Sequence, residues 1–541
     1  MKQKILVLVL ILLASLPITY PFIQPGYFET HDGEWAIVRL AEMHRELRLL
    51  QIPPRWSGYL NHGYGYPLFQ FAYPGPYLIA EIFNLIGFGL TDSIKILFSL
   101  TVFLSGGFMF LLGKKIWGVG GGLISAILYL YAPYRMTNLF VRGSIGESVV
   151  FVLMPLLFWL FLLFIEKPTR RLMLLTSLSL ALLNISHNAL SLLFLPVLLV
   201  WCVSLYFSKK DKEALSSLII SWGLGFGLST WFWLPAILEK EFIRLSIIPL
   251  ANRIAHFVTL KELLSNVWGF GIRPPLRIGL LHFALGIFSL LVAGYDYLKT
   301  KKFDYRITIA ILLITSFSLL FANSNYFWEL PLYKQIDFPW RMLGIVMFLS
   351  ALISGVLVRG KYKKAIVVLI ILGTMILNLK FIKTGERIYQ SDDYYSTNDA
   401  TTTSANELMP IWVKQDPATR QEKKTKLIGI GHVQVKQDFG DKLILTTEIS
   451  DISVAAIQVN TVYFPGWTSY LDSEKISTKP SEQGLINITS IPAGWHKVEL
   501  KYERTPVRWA ADIITILSLF VLVITTTYRY IIVKRKDILY A

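Results

Sequence analysis

Cysteine is almost absent: Cys202 is the only one among 541 residues, and it lies inside an apolar run. A disulfide within the chain is excluded, and so are Cys₂ and Cys₄ metal sites. Charge is scarce too, at 16% of residues against about 25% in soluble globular chains. Hydrophobic residues make up 54%, and the mean hydropathy is +0.51. These figures exclude a soluble enzyme, a disordered regulator and a disulfide-stapled secreted domain. Acidic residues are outnumbered by Lys and Arg, 36 to 53, leaving a net charge of +17. That excess does not point to nucleic acid, because the basic residues sit in short loops between apolar runs, the bias of cytoplasmic loops.

What is present is a series of apolar runs near the ~20 residues that span a bilayer. The first, from about Ile5 to Ile23 behind Lys2 and Lys4, reads as a retained span rather than a cleaved signal peptide. The others lie near 94–112, 116–133, 146–165, 171–189, 190–207, 215–236, 277–297, 307–322, 341–358, 365–382 and 509–531. Between many of them stand basic clusters, such as Lys114-Lys115, Lys299 to Lys302, Arg359 to Lys364 and Lys534 to Lys536. With a cytoplasmic N-terminus and one crossing per run, every such cluster falls on the cytoplasmic side. The stretch 73–90 is apolar but contains Pro74, Gly75 and Pro76. Counting it as a span would invert everything after it, so it reads as a non-crossing juxtamembrane or re-entrant helix. The expected fold is therefore a mainly α, polytopic bundle of about twelve spans with both termini cytoplasmic. Outer loops would be 24–93, 134–145, around 184–190, 237–276, 323–340 and 383–508.

The last outer segment reads as a separate unit. Thr384–Lys426 is polar and reads as loop. Period-2 alternation follows over Ile428–Val435, Lys442–Ile449, Ser453–Tyr463, Ile486–Thr489 and Lys497–Tyr502, broken by turn residues. An antiparallel all-β, sandwich-like domain is expected. The domain division is 1–382, 383–508, and 509–541 for the last span and tail.

The polar clusters gather on the outer side. Glu29-Thr30-His31-Asp32-Gly33-Glu34-Trp35 opens the first loop. Thr30 or Asp32 can simply cap the next helix. Alternatively, a carboxylate at the membrane surface beside cations can act as general base, the cations holding a phosphate leaving group. From about Glu34 to Leu50 the spacing predicts an amphipathic helix in the membrane interface, its basic residues facing an anionic partner such as a lipid phosphate. Pro53-Pro54-Arg55-Trp56 to Tyr64-Gly65-Tyr66-Pro67 is a rigid aromatic loop suited to sugar faces or to the interface. Arg142-Gly143-Ser144-Ile145-Gly146-Glu147 is either a structural Arg–Glu pair or a phosphate site. In the second case a phosphate oxygen would approach Arg142 and the backbone at Gly143 and Gly146. Asn184-Ile185-Ser186-His187-Asn188 is a tight turn whose His187 can line a cavity. Glu239 and Arg341 close and open spans on the same side.

The order of these motifs resembles a known family. His31-Asp32-Gly33, Pro53-Pro54-Arg55-Trp56, Gly63 to Phe69, Tyr134-Arg135, Arg142-Gly143, Glu147, Ser186-His187-Asn188 and Phe338-Pro339-Trp340-Arg341 are similar, across roughly residues 25–350, to bacterial and archaeal membrane proteins called 6-pyruvoyl-tetrahydropterin synthase-related. Despite that label, the chain offers no soluble pterin fold and no zinc His triad. The family resembles a branch of the C-type (GT-C) glycosyltransferases, which have many spans, an acidic residue in the first outer loop and polyprenyl-phosphate sugar donors. Asp32 matches that acidic position, with Glu34 two residues on in place of an adjacent pair. No Asp-x-Asp stands in the second outer loop, and no cofactor or metal is expected. Tyr463-Phe464-Pro465-Gly466-Trp467 and Ile491 to His496 resemble the outer β domain of bacterial membrane proteins linked to polymer glycosylation.

The resemblance implies a plasma-membrane glycosyltransferase. Its partners would be a polyprenyl-phosphate carrier and a glycan, lipid or protein acceptor. Asp32, with Glu34, would be catalytic. His31, Arg55, Arg135, Arg142, Glu147, His187, Glu239 and Arg341 would bind substrate or phosphate. A transporter or flippase of lipid-linked saccharide is the main alternative, although no internal repeat is visible. A non-catalytic glycan assembly protein is the other.

Overall fold

The computed structural model describes residues 2–249, 251–450 and 455–539, with side chains between 7 and 525. Ser453 and Val454, expected to open a strand, lie outside the described residues, as do the side chains of Lys2, Lys4 and Lys534 to Lys536. The chain is mainly helical, with an antiparallel β region before the final helix.

Among the described residues seven helices are long and apolar enough to cross a membrane, and up to nine if two bent pairs each count as one span. The pairs are Lys212–Leu228 with Thr230–Leu238, bent by 68°, and Tyr305–Ser318 with Ala322–Trp328, bent by 100°. That is fewer than the twelve runs expected. The first helix, Lys2–Ile23, is 22 residues long, with side chains described from Val7 on, and Arg170–Asn184 is helical but short. Leu90–Leu130 is two helical arms that meet at Gly118, whose φ of 80° and ψ of −178° no helix contains. The two arms touch: a Cβ on Gly113 would lie 2.9 Å from the Gly122 Cα, and one on Gly106 would lie 2.8 Å from Leu130. Small residues permit this approach, as in membrane helix pairs generally.

Ile145–Glu166 and Met342–Ile353 form the middle of the bundle and are buried almost throughout. Phe158 stacks on Trp201 at 4.7 Å and meets Phe348 edge-on at 4.9 Å. Leu280–Thr300 and Lys363–Asn378 are peripheral, with Leu291, Leu298, Leu369 and Ile376 turned outward. An apolar exterior around a packed interior suits lipid as solvent. Residues 73–90 yield only an 11-residue helix, Gly75–Leu85, too short to cross.

The first loop and the β region are built together. Strand β1 (Tyr27–Phe28) pairs antiparallel with β2 (Arg387–Ile388). Two sheets follow. One has the order β3 (Thr425–Ile428), β6 (Ala455–Val462), β10 (Leu485–Ile491), β9 (Thr478–Pro480). The other runs β4 (Gly431–Asp438), β5 (Lys442–Ile449), β11 (Gly494–Tyr502), β7 (Trp467–Leu471), β8 (Glu474–Ile476). Strand β5 buries every second residue, Leu443, Leu445, Thr447 and Ile449, the alternation of a sheet with one covered face. Trp56 of the first loop packs on Trp467 and Tyr502, at 5.2 and 4.9 Å. The Val462 N–H donates to the Tyr64 carbonyl at 3.0 Å.

Two expectations are corrected here. Thr384–Lys426 is not all loop. Besides β2 it contains the helix Asp392–Thr397, capped by the Ser391 hydroxyl, which accepts from the Tyr394 N–H. The amphipathic helix of the first loop, Gly33–Arg48, is not laid against lipid, because this segment covers it. Arg45 donates to the Ser396 carbonyl at 2.9 Å and pairs with Glu42, and Arg39 donates to the Thr402 hydroxyl at 3.1 Å. Arg39 and Arg45 thus have protein partners, while Arg48 at the end of the helix is exposed.

Candidate functional site

The Gly33–Arg48 helix begins where three loops meet. Its N-terminal turn is fastened to the second loop by backbone: the His31 N–H donates to the Val141 carbonyl at 3.0 Å and the Asp32 N–H to the Arg142 carbonyl at 2.9 Å. The capping oxygen is Thr30 Oγ1, which accepts from the Gly33 N–H at 2.9 Å. Asp32 therefore caps nothing with its carboxylate. Thr137–Arg142 on the other side is a π-helix, a widened turn common at functional sites. It ends at Gly143, φ 62°. A Cβ there would stand 2.4 Å from Thr30 Oγ1 and 2.9 Å from the Gly33 nitrogen. At Gly146 it would stand 2.6 Å from the Ser186 carbonyl and from the Tyr73 ring. The two glycines thus admit neighbouring loops, and the Gly143 N–H donates to the Asn138 carbonyl.

Glu147, fully buried at the start of a central helix, is the hub. Its Oε1 lies 2.7 Å from Arg142 Nη1, 3.4 Å from Arg341 Nε and 3.7 Å from His187 Nε2. Its Oε2 accepts from Asn138 Nδ2 at 2.9 Å and from the Tyr134 hydroxyl at 3.2 Å. Trp340 supplies a ring face 4.6 Å from the Arg142 guanidinium, and Phe338 one 4.9 Å from that of Arg341. Burial disfavours charge on Arg142, but Glu147, with Tyr134 and Asp32 beyond it, holds the guanidinium above the ordinary arginine range. His187 stands just before its helix, with Nδ1 accepting from the Leu190 N–H at 3.1 Å. Burial pushes its ring down to about 3 against the pull of Glu147, so it is neutral at pH 7. Tyr73 stacks on it at 5.1 Å.

Asp32 is half-buried, and its field reaches Arg142, Arg341 and Tyr73. Glu34 faces elsewhere. Its carboxyl is raised by burial and by Glu29, away from the cations. Of the ten residues singled out in the sequence, the structure brings Asp32, Arg142, Glu147, His187 and Arg341 together, with His31 joining through its backbone. The His31 Nε2 is buried without a partner. Arg55 is not there: it pairs with Asp512 at 2.7 Å and donates to the Trp231 carbonyl at 3.1 Å. Nor is Glu239, which is buried against Arg508 at 2.9 Å. Arg135 is buried between the Tyr129 and Phe151 rings and reaches the Thr101 carbonyl at 3.2 Å. Asn138 and Tyr73, contributors to the hub and its rim, were not singled out, since each is one ordinary polar or aromatic residue in a loop of many.

Two guanidinium groups share the Glu147 carboxylate, and beside them stands the Asp32 carboxylate, which has no ion pair among the described residues and balances the second cation. The arrangement can hold an anionic group and accept a proton next to it. Among the described residues no group of three or more His, Cys, Asp or Glu side chains is placed to hold a metal ion.

Comparison with known proteins adds three kinds of likeness. An uncharacterized protein of Lactococcus lactis subsp. cremoris (strain MG1363) is 23% identical over 353 residues, 62% of this chain and 54% of its own, so the chain spans about half the length of the curated relative it matches. Among solved structures, arabinofuranosyltransferase AftD from Mycobacteria aligns with a TM-score of 0.45 and 17% identity, over 69% of this chain and 26% of that one. ArnT from Cupriavidus metallidurans, bound to undecaprenyl phosphate, aligns at 0.42 and 14%, over 68% and 63%. The Archaeoglobus fulgidus oligosaccharyltransferase aligns at 0.42 and 14%, over 73% and 53%. Residues 69–383, more than half of the chain, match the family described as a 6-pyruvoyl-tetrahydropterin synthase related domain of membrane proteins. The chain therefore belongs to the 6-pyruvoyl-tetrahydropterin synthase-related membrane proteins.

Proposed function

We propose that this protein is a membrane glycosyltransferase that moves a sugar from a polyprenyl-phosphate carrier to an acceptor hydroxyl outside the cytoplasm. The observation that carries this reading is the convergence of Arg142, Arg341 and the uncommitted Asp32 carboxylate at one end of the helical bundle. Asp32 takes the proton of the acceptor hydroxyl as its oxygen bonds to the anomeric carbon. The bond from that carbon to the phosphate oxygen breaks, and the electron pair leaves with the phosphate. Arg142 and Arg341 hold the growing negative charge, a contribution that is often the largest in catalysis. Glu147 and neutral His187 position the two cations. The motif order supports the same reading through its resemblance to the C-type glycosyltransferases.

The topology proposed with it has twelve crossings in the plasma membrane and both termini in the cytoplasm. The hairpin at Gly118 would supply two of the crossings. Residues 383–508 would form an extracytoplasmic unit between the transmembrane module 1–382 and the last span. The basic clusters then all face the cytoplasm.

The test is transfer by purified protein supplied with polyprenyl-phosphate sugar. Asp32→Asn should lower the rate by about 10²–10⁴ with an unchanged unfolding temperature, as expected for loss of a general base. Near-normal transfer by this variant would reject Asp32 as the base. Movement of intact lipid-linked sugar across vesicles, with no cleavage of the donor, would replace the enzyme by a transporter.

A further inference from the structure

Arg277, just before the Leu280–Thr300 helix, is a buried cation with nothing to bond to. It is 1% exposed, and its Nε, Nη1 and Nη2 are all shut from solvent without a hydrogen-bond partner. Among the described residues it forms no ion pair, and no acidic side chain stands near enough to act on it. Arg55, Arg135, Arg142 and Arg508 are buried too, but each reaches a carboxylate or a carbonyl. Arg277 has two ring faces, Phe381 at 4.7 Å and Trp268 at 5.5 Å. Such faces return only part of what a guanidinium loses with its water. The Trp268 ring stacks on Phe381 at 5.6 Å, and its indole N–H is also buried and unpaired. Guanidinium and indole N–H groups donate and never accept, so what is missing here is an acceptor.

The surroundings are apolar and turned outward. Leu280 on one side and Ile376, Leu377 and Leu379 on the other are exposed, and so are Val267, Phe270 and Ile272 in the segment that carries Trp268. That segment is loosely held. Residues 266–274 make no backbone–backbone hydrogen bond among the described residues, and a Cβ on Gly269 or Gly271 would meet nothing within 4 Å. Trp268 can therefore swing off the guanidinium without unmaking a helix or a sheet. Lys380 stands exposed at the edge, its Nζ 5.1 Å from the centre of the Phe381 ring and donating to Asn266 Oδ1 at 3.3 Å.

We propose that Arg277 binds the phosphate of an anionic phospholipid, with Trp268 swinging aside to admit it. Phosphate oxygens are the acceptors the guanidinium lacks, and its planar fork takes two of them at once. The outward leucines and isoleucines would lie along the acyl chains, which favours a lipid over a free phosphate as the source. Lys380 at the edge favours a headgroup of net negative charge over one that carries its own cation. The site adjoins the Asp32 centre without sharing a residue with it: Thr137 Oγ1, at the start of the π-helix that ends in Arg142, donates to the Pro275 carbonyl at 2.9 Å. Binding does not require transfer, so it stands or falls apart from the glycosyltransferase reading.

Full-length protein in neutral detergent, stripped of lipid, is titrated with phosphatidylglycerol, phosphatidylcholine or inorganic phosphate, and binding is read by native mass spectrometry and by the unfolding temperature. Phosphatidylglycerol should bind several-fold more tightly than phosphatidylcholine and raise the unfolding temperature, and inorganic phosphate should not raise it. Arg277→Met should weaken phosphatidylglycerol binding by about tenfold or more, as loss of a hydrogen bond to a charged group implies. Its lipid-free unfolding temperature should be unchanged or higher, because an apolar side chain replaces an unpaired buried charge. Arg277→Lys keeps the charge without the fork and should show the same loss of binding, should the Met variant fail to fold. Phosphatidylglycerol affinity that survives both substitutions, or equal binding of the two lipids, would overturn the proposal. An equal rise with inorganic phosphate would assign the site to a soluble anion and overturn the lipid. Binding lost in Arg142→Lys but kept in Arg277→Met would put the lipid in the Asp32 centre and equally overturn it.

Discussion

Glu147 has two oxygens for five neighbours: Arg142, Arg341, His187, Asn138 and Tyr134. Removing it strands two guanidinium groups in a buried setting, a loss of about 3–5 kcal/mol for broken buried pairs. Glu147→Ala should therefore destabilise the protein strongly, and adding Arg142→Ala should restore part of the loss. Arg142→Lys keeps the charge but neither the planar fork nor the fit over Trp340. Under the proposed function this variant folds normally and loses most polyprenyl-phosphate affinity. Unchanged affinity in Arg142→Lys and Arg142→Ala, measured beside their unfolding temperatures, would reduce Arg142 to a brace. Much of this hub was legible in the sequence, since Arg142 and Glu147 share one loop and parity brings the His187 and Arg341 loops to the same side. The fates of Arg55 and Glu239 were not. Their partners lie 457 and 269 positions away, and no local spacing encodes such pairs.

At the scale of elements, one residue decides whether Leu90–Leu130 is a rod or a hairpin. Gly118 occupies a region of backbone space open essentially to glycine alone. Gly118→Ala should cost about 1–3 kcal/mol and lower the unfolding temperature in detergent, although nothing lies near enough to clash with the added methyl. An unchanged unfolding temperature would mean the turn tolerates a side chain. Hydropathy separated the two arms correctly, at 94–112 and 116–133, because Lys114-Lys115 interrupts the apolar pattern. It misjudged the Gly33–Arg48 helix for the opposite reason: amphipathic spacing is the same whether the polar face meets headgroups or another stretch of protein. Arg39, Arg45, Glu42 and Glu46 all found protein.

Across the whole molecule, the first loop joins the bundle to the β region. Its buried carboxyls give this junction a pH dependence. Burial first, and Glu42 second, raise the Glu46 carboxyl well above its ordinary value. The folded form then holds its proton at pH values where the unfolded chain has lost it. Stability from this group is fully present below about pH 4, near the unfolded glutamate value, and is lost as pH rises through the raised folded value. Glu46→Gln removes that loss. Its unfolding temperature should match the parent's in acid and exceed it increasingly toward neutrality; a constant difference across pH would contradict the assignment.

The Arg55–Asp512 pair also sets a timetable. The two residues are 457 positions apart, and a ribosome adding about 5–20 residues per second separates their synthesis by roughly 20 to 90 s. Through that interval the first loop is already made but has no Asp512 to grip, and its Trp56 has no Trp467 or Tyr502 to pack on. Nascent chains halted before residue 467 therefore carry an open loop that proteases can reach. The junction of the first loop with the β region is therefore completed late, and a stop codon before residue 467 leaves both Arg55 and Trp56 without these partners, however well the earlier spans have inserted.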